Sequence, residues 1–159
     1  VEVDAGVARH LGRIAKELIA RHGCRVIGVD ISPSMRALAP MYVESDRFFA
    51  CPPSMLDGLI ERGMTFDGVL SIWVLQHCLA PAEDITRIRR ALRPEGRVFV
   101  LNNNSRAVPT TERGWVNDGI NLRAELDREF ALLGEGKPAR EHTSPKISAG
   151  TFWAAFRRP

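Results

Sequence analysis

A glycine-containing turn and a carboxylate are the residues of this chain whose types and spacing best suit chemistry. Gly6 follows the apolar residues Val1 and Val3, and Asp30, 24 residues beyond Gly6, ends the apolar run 26–29. If the two runs are neighbouring parallel strands, the turn and Asp30 meet at the carboxyl edge of a sheet. There, backbone N–H groups at a helix N-terminus and a carboxylate that accepts hydrogen bonds from ribose hydroxyls bind nucleosides. The spacing therefore predicts a nucleoside site.

Alternating strands and helices would position these residues. Apolar residues at intervals of three and four predict a helix from Val7 to about His22, which Gly23 ends. Further runs predict strands at 25–29, 47–50, 67–72 and 97–101 and helices at about 34–39, 55–62 and 81–92. The first of these helices, 34–39, is expected to stop before Pro40. The pattern predicts five β/α units and a parallel sheet.

The C-terminal third predicts a different arrangement. Leu122, Leu126, Phe130 and Leu133 share a helix face, which the glycines of 134–136 would close. Strands at about 140–143 and at 151–156, with a short loop around 145–150, predict an antiparallel hairpin. The polar segment 102–119 has no periodicity and reads equally well as a solvated connection or as part of a substrate mouth.

Several segments in order resemble motifs of the class I S-adenosylmethionine-dependent methyltransferases. The run 2–9 resembles the glycine-rich first motif, although Asp4 and Ala8 stand where that family usually has glycine. Residues 29–32 resemble the ribose-binding end of the second strand. Residues 66–77 and 92–98 resemble the fourth strand with its turn and the start of the fifth strand.

The resemblance implies an α/β fold, a three-layer Rossmann-like sandwich. Its mostly parallel seven-stranded sheet would carry an antiparallel C-terminal strand. A chain of 159 residues suits one domain, and we expect residues 1–159 to form a single methyltransferase-like domain. Because Val1 already lies inside an apparent strand, we expect the N-terminal part of that domain to be missing.

S-adenosylmethionine is the cofactor that the resemblance implies, with S-adenosylhomocysteine as product. Glu2 would orient the first motif, and Asp4 could either pair with the ammonium of the ligand or repel its carboxylate. Pro52 and Pro53 stand near the place of an adenine-binding aspartate, so backbone N–H groups nearby would hold adenine instead. The cofactor-binding residues are predicted to be Glu2, Asp4, Gly6, Asp30, Ile31, Ser54, Met55, Ile72, Trp73 and His77.

His77 is the candidate catalytic residue. An imidazole in the turn after the fourth strand could act as a general base, or it could be a polar residue that caps the turn. Trp73 could stack on adenine or pack in the core. The sequence predicts no metal site, because no histidine has ligand-like partners at helical spacing.

The function expected from the resemblance is methyl transfer from S-adenosylmethionine to a small-molecule acceptor. The alternative is a catalytically weak or inactive relative that serves binding or assembly, because Asp4, Ala8 and the two prolines depart from the family pattern. A nicotinamide-dependent oxidoreductase fits poorly, since its turn needs three glycines and 4–9 contains only Gly6.

The composition indicates which classes of partner are not expected. The net charge is +3 from 22 basic and 19 acidic residues, and no basic stripe interleaved with aromatics is found, so nucleic acid is not expected as a partner. No apolar run approaches the ~20 residues of a membrane span, and no secretory signal is recognisable, so we expect a cytoplasmic protein without a membrane partner. The three widely spaced cysteines are expected to be reduced thiols. The oligomeric state stays open.

Overall fold

The computed structural model describes residues 5–139, 141 and 143–159, with side chains from residue 12 onward. The chain separates into two compact units, Val1–Gly63 and Met64–Pro159. Each unit is described by itself below. The predicted first strand, with Glu2 and Asp4, lies outside the described residues, and the single-domain organisation stays a prediction.

The first unit alternates helices and short parallel strands. Its elements are α1 (Ala5–His22), β1 (Val26–Val29), α2 (Pro33–Val43), β2 (Phe48–Cys51) and α3 (Pro53–Glu61). β1 pairs in parallel with β2, from Val26 opposite Phe48 to Val29 opposite Cys51. α1 contributes Ala15, with Ile19 packed beside it, to a core that also holds Ala39 and Val43 of α2 and Phe48 of β2; the predicted face residues Ile14 and Leu18 are not part of this core.

Local chemistry sets the helix ends of the first unit. Gly23 has a φ of 63° and donates its N–H to Ile19 O at 3.0 Å, which ends α1 as predicted. The Ser32 hydroxyl accepts from Met35 N at 3.3 Å and Pro33 opens α2. The prediction that this helix stops before Pro40 is wrong, because α2 continues to Val43. Burial of Ala39 and Val43 outweighs the one backbone hydrogen bond that a proline removes.

The second unit is built on a mixed sheet of four strands. These are β3 (Phe66–Ile72), β4 (Leu92–Asn103), β7 (Ala131–Gly136) and β8 (Thr151–Arg157), in the order β3-β4-β8-β7. β3 and β4 are parallel, whereas β8 is antiparallel to both β4 and β7. A 3-10 turn (Leu75–His77), α4 (Pro81–Ala91), the hairpin of β5 (Val108–Thr110) and β6 (Gly114–Val116), α5 (Leu122–Glu129) and α6 (Pro145–Gly150) complete the unit.

One face of this sheet carries the core of the second unit. Val98 and Val100 of β4 point to the same side as their partners Phe156 and Ala154 of β8. The apolar stripes of α4 and α5 cover that side. The buried cluster consists of Leu75, Ile85, Leu92, Val98, Val100, Leu122, Leu126, Phe130, Ala154 and Phe156.

The C-terminal elements correct three predictions. The predicted helix through Leu133 is α5 only as far as Glu129, and the residues after Phe130 form strand β7. The glycines of 134–136 do not close a helix; they lie in β7, where a Cβ on Gly136 would come within 2.9 Å of the Trp153 indole. The strand that pairs with β8 is therefore β7 rather than 140–143, of which residues 140 and 142 lie outside the described part.

Two further segments fold where loops were expected. Residues 145–150 form α6, which Ser144 caps by accepting from Ile147 N at 3.3 Å. The non-periodic segment 102–119 continues β4 to Asn103 and then forms the β5–β6 hairpin. The α/β class and the antiparallel last strand are confirmed. A single seven-stranded, mostly parallel sheet is not confirmed, because the strands within the described ranges form sheets of two, four and two strands.

Candidate functional site

The carboxylate predicted from the sequence lies at the carboxyl edge of the first sheet. Asp30 follows β1, and its N–H donates to Cys51 O at 3.2 Å, so it adjoins the end of β2. Its Oδ1 accepts from Ser32 N at 2.8 Å, and the Arg36 side chain donates to its carbonyl at 2.8 Å. Among the hydrogen bonds of the described residues, Oδ2 is not used. The half-buried carboxylate is thus held through one oxygen, and the other has no hydrogen-bond partner among the described residues.

The start of α3 lies beside the same edge. Pro52 and Pro53 end β2 and open the helix, and Met55 N donates to Pro52 O at 3.1 Å. The N–H of Ser54 has no partner among the described residues, which is the usual state of a donor in a first helical turn. Of the two backbone groups predicted to bind adenine, the structure thus leaves the Ser54 N–H free and engages that of Met55.

The remaining first-unit predictions concern the ends of α1 and β1. Gly6 lies in the first turn of α1, in agreement with the predicted helix start. Ile31, next to Asp30, is 83% exposed. Ile31 therefore offers apolar surface directly beside the Asp30 carboxylate.

The carboxyl end of β3 in the second unit holds the next group of predicted residues. Ile72 is the last residue of β3, and Trp73 N donates to Leu101 O at 2.8 Å. Trp73 has a φ of 60°, a left-handed conformation that is rare for a bulky side chain. Such a backbone costs about 1–3 kcal/mol and persists where the surroundings impose it, often at functional sites.

His77 has both ring nitrogens engaged. Gln76 Oε1 accepts from Asn103 N at 2.8 Å, so the other amide atom of Gln76, Nε2, is the donor that faces His77 Nε2 at 2.9 Å. His77 Nε2 therefore accepts, and Nδ1–H donates to Ala107 O at 2.6 Å. This tautomer is assigned from the hydrogen-bond network. The network matches the turn-capping role weighed from the sequence, and the general-base role stays a prediction.

A buried arginine that the sequence analysis missed holds the same turn. The Arg106 side chain is 0% exposed and forms a two-pronged ion pair with Asp118 at 2.7 and 2.8 Å. Its Nη1 and Nη2 also donate to Leu75 O at 2.9 Å and to Cys78 O at 2.6 Å. The guanidinium lowers the pKa of the Asp118 carboxyl below its ordinary value. No sequence signal marks Arg106, since its partners lie 28–31 residues earlier and 12 later.

The 106–118 segment, held by this ion pair, places an aromatic ring beside His77. Ala107 N donates to Gln76 O at 3.0 Å, which joins the segment to the turn after β3. Trp115 of β6 meets the His77 ring edge to face, with centroids 5.0 Å apart and planes at 67°. The contacts of His77 thus include a residue from the segment that could form a substrate mouth.

A surface hollow of about 460 Å³ adjoins the end of β4. Asn104, Asn117 and Phe152 are among the residues that line it. Asn102, directly opposite Phe152 in the β4–β8 pairing, is 0% exposed, and neither atom of its amide has a hydrogen-bond partner. A polar residue directly after the apolar run 98–101 was the available sequence signal for this position.

The cysteines and the possible metal ligands of the described residues bear on whether thiol or metal chemistry is available. Burial, and next a hydrogen bond with Asp84, raise the pKa of the neighbouring Cys78 thiol to about 12, which excludes a reactive thiolate at neutral pH. Cys24, Cys51 and Cys78 are free thiols. Within residues 5–139, 141 and 143–159, no three His, Cys, Asp or Glu side chains gather as metal ligands. No helix in those ranges is long and apolar enough to span a bilayer.

Parallel β/α units with a carboxylate at a strand end define the class of Rossmann-like α/β folds. The family model described as methyltransferase domain matches residues 3–100, and the chain belongs to that family. Ubiquinone biosynthesis O-methyltransferase of Cereibacter sphaeroides (strain ATCC 17029 / ATH 2.4.9) is 30% identical over 99 residues, which are 60% of this chain and 40% of that protein. The chain thus spans about 40% of the length of the curated relatives it matches.

Solved structures share the fold at low sequence identity. The N-methyltransferase NodS of Bradyrhizobium japonicum WM9, in complex with S-adenosylhomocysteine, has a TM-score of 0.69 at 15% identity and covers 94% of this chain and 74% of its own. The [4+2]-cyclase SpnF has a TM-score of 0.66 at 15% identity over 94% of this chain and 71% of its own. Membership of the methyltransferase family identifies S-adenosylmethionine as the cofactor.

The described residues of the first unit fit this cofactor in chemical character. The free Oδ2 of Asp30 can accept from ribose hydroxyls, and the free N–H of Ser54 can donate to an adenine nitrogen. Exposed Ile31 can cover an apolar ring face. The roles of Glu2, Asp4, Gly6, Met55, Ile72 and Trp73 as cofactor ligands stay predictions.

Proposed function

We propose that the chain catalyses S-adenosylmethionine-dependent methyl transfer to a small-molecule acceptor. The observation that carries the proposal is the family match over residues 3–100, which includes Asp30 at the end of β1. The curated relatives that match at 30% identity are O-methyltransferases by name, which supports a hydroxyl group as the acceptor. S-adenosylmethionine supplies a methyl group that is already activated for transfer by its sulfonium.

The protein groups would then mainly bind and orient. Asp30 would hold the ribose through Oδ2 while Oδ1 keeps its bond to Ser32 N. The Ser54 N–H would hold adenine from the first turn of α3. His77, anchored through Gln76 and Ala107, would keep the turn after β3 in place beside the acceptor. Positioning of this kind can supply most of a rate enhancement when the transferred group is activated beforehand.

Isothermal titration of the 159-residue chain with S-adenosylhomocysteine tests the proposal. Asp30→Asn keeps an oxygen for Ser32 N but loses the charge that the ribose hydroxyls would meet, so we expect affinity to fall about tenfold. Asp46→Asn, an exposed carboxylate of the same unit, is the matched control and should bind like the wild type. Absence of binding heat at millimolar S-adenosylhomocysteine, or an unchanged affinity of Asp30→Asn, would reject the proposal.

The alternative is a relative with a weak or lost cofactor site that serves binding or assembly. Asp4 and Ala8 replace glycines of the first motif, and the fold also occurs in a protein titled as a [4+2]-cyclase, which supports functions other than methyl transfer on this scaffold. Restoring Asp4→Gly and Ala8→Gly together separates the two functions. A gain of S-adenosylhomocysteine binding in the double variant would favour the weakened site, whereas a loss would favour the enzyme.

A further inference from the structure

Trp115 exposes a large aromatic surface on the β5–β6 hairpin. The residue is 64% exposed, although tryptophan is usually covered on most of its surface. It lies in β6 opposite Pro109 of β5. The contact with His77 covers only part of the ring, so an indole surface stays accessible.

Hydrogen bonds of neighbouring residues hold the hairpin that carries the Trp115 ring. The Thr110 hydroxyl donates to Gly114 O at 2.9 Å and accepts from Arg113 N at 3.0 Å, which closes the turn of the hairpin. On either side of the hairpin, Arg106 and Asp118 form the buried ion pair that also holds the turn after β3. A ligand that stacks on Trp115 would therefore meet a surface that is already ordered, which lowers the entropic cost of binding.

The surroundings of Trp115 indicate what would stack there. Its neighbour His77 lies in the turn where a methyltransferase resemblance implies contacts with cofactor or acceptor. A flat indole surface favours planar conjugated rings, because aromatic pairs gain from offset stacking beyond the area they bury. We propose that Trp115 is the platform on which the aromatic ring of a hydroxylated methyl acceptor stacks. The proposal rests on the proposed methyl transfer and adds its substrate class.

A matched pair of small probes tests the platform. Catechol and trans-cyclohexane-1,2-diol carry the same two hydroxyl groups, but only catechol has a planar aromatic ring. We expect the 159-residue chain, saturated with S-adenosylhomocysteine, to bind catechol more tightly than the diol in NMR titrations. Trp115→Ala should weaken catechol binding about tenfold, and Trp115→Phe should retain most of it.

Two controls separate this proposal from the general one. Arg113→Ala lies on the same hairpin, where Arg113 contributes its backbone N–H to the turn, and it should bind catechol like the wild type. S-adenosylhomocysteine affinity, measured in parallel by calorimetry, should be the same in the Trp115 variants and the wild type. Equal melting temperatures would establish that the Trp115 variants are folded.

Each outcome has a definite meaning. Catechol binding that Trp115→Ala leaves unchanged, or equal affinity of the wild type for catechol and the diol, overturns the platform even if S-adenosylhomocysteine binds. Catechol binding that depends on Trp115 without any S-adenosylhomocysteine binding supports an aromatic site and overturns methyl transfer. If neither ligand binds, both proposals are overturned.

Discussion

Replacing Arg106 by Met should destabilise the chain, because the buried guanidinium bonds two backbone carbonyls of the turn after β3. Hydrogen bonds from charged groups contribute about 1.5–3 kcal/mol each, so the bonds to Leu75 O and Cys78 O together give about 3–6 kcal/mol. Leu75 O keeps a second bond from Cys78 N at 3.3 Å, and Met avoids the cost of burying a charge. Both effects reduce the loss, and we expect about 3 kcal/mol in the free energy of unfolding.

Urea unfolding followed by circular dichroism measures this loss. At about 2–4 °C per kcal/mol for a chain of this size, the melting temperature should fall by about 6–12 °C. Arg113→Met, an exposed arginine of the same segment, is the matched control and should stay within about 0.5 kcal/mol of the wild type. Arg106→Lys should be intermediate, because an ammonium cannot form the two-pronged pair. The reasoning is refuted if Arg106→Met is as stable as the Arg113 control.

Three further predictions concern other buried or charged groups. Gly136→Ala should cost about 1–3 kcal/mol because its Cβ would lie 2.9 Å from the Trp153 indole, whereas Gly134→Ala, with 4.0 Å to the same ring, should cost less than about 0.5 kcal/mol; equal losses on thermal melting would contradict this. Asn102→Leu should raise the free energy of unfolding in urea by about 1–2 kcal/mol, because it removes a buried amide without partners, and a destabilised variant would show that the amide is bonded. The pKa of Asp118 is lowered from 3.8 in the folded chain. Its contribution to stability is therefore complete above the pKa of the unfolded chain and is lost as the pH falls through the pKa of the folded chain. The difference in the free energy of unfolding between wild type and Asp118→Asn should shrink in acid, and a difference that grows below about pH 4 would refute the assignment.

The sequence predicted best those elements whose signals are local. The helix α1 and its end at Gly23 depend on residues within one or two turns of each other, and the structure confirms both. Asp30 was placed at a strand end by the same kind of reasoning, from the apolar run of β1. Local propensity and hydrophobic pattern agree in these segments, and their secondary structure could therefore be predicted without knowledge of the tertiary fold.

The sequence failed where distant packing decides the local structure. Leu126, Phe130 and Leu133 fit one helix face, yet the chain turns into β7 at Ala131 because it pairs with β8. The glycines that resembled a helix end instead make room for Trp153. In the candidate site, the role of Arg106 could not be predicted for the same reason, because the carbonyls that it bonds lie about 30 residues away in the sequence.

The left-handed backbone of Trp73 bears on how this position can change by mutation. At a φ of 60°, glycine would be the most comfortable residue, and every replacement other than glycine or asparagine retains most of the strain. Replacement of Trp73 by glycine would thus relieve the backbone strain but remove the indole. A library of all substitutions at this position, sorted separately for folding and for ligand binding, would therefore separate the cost of the backbone conformation from the contribution of the indole ring.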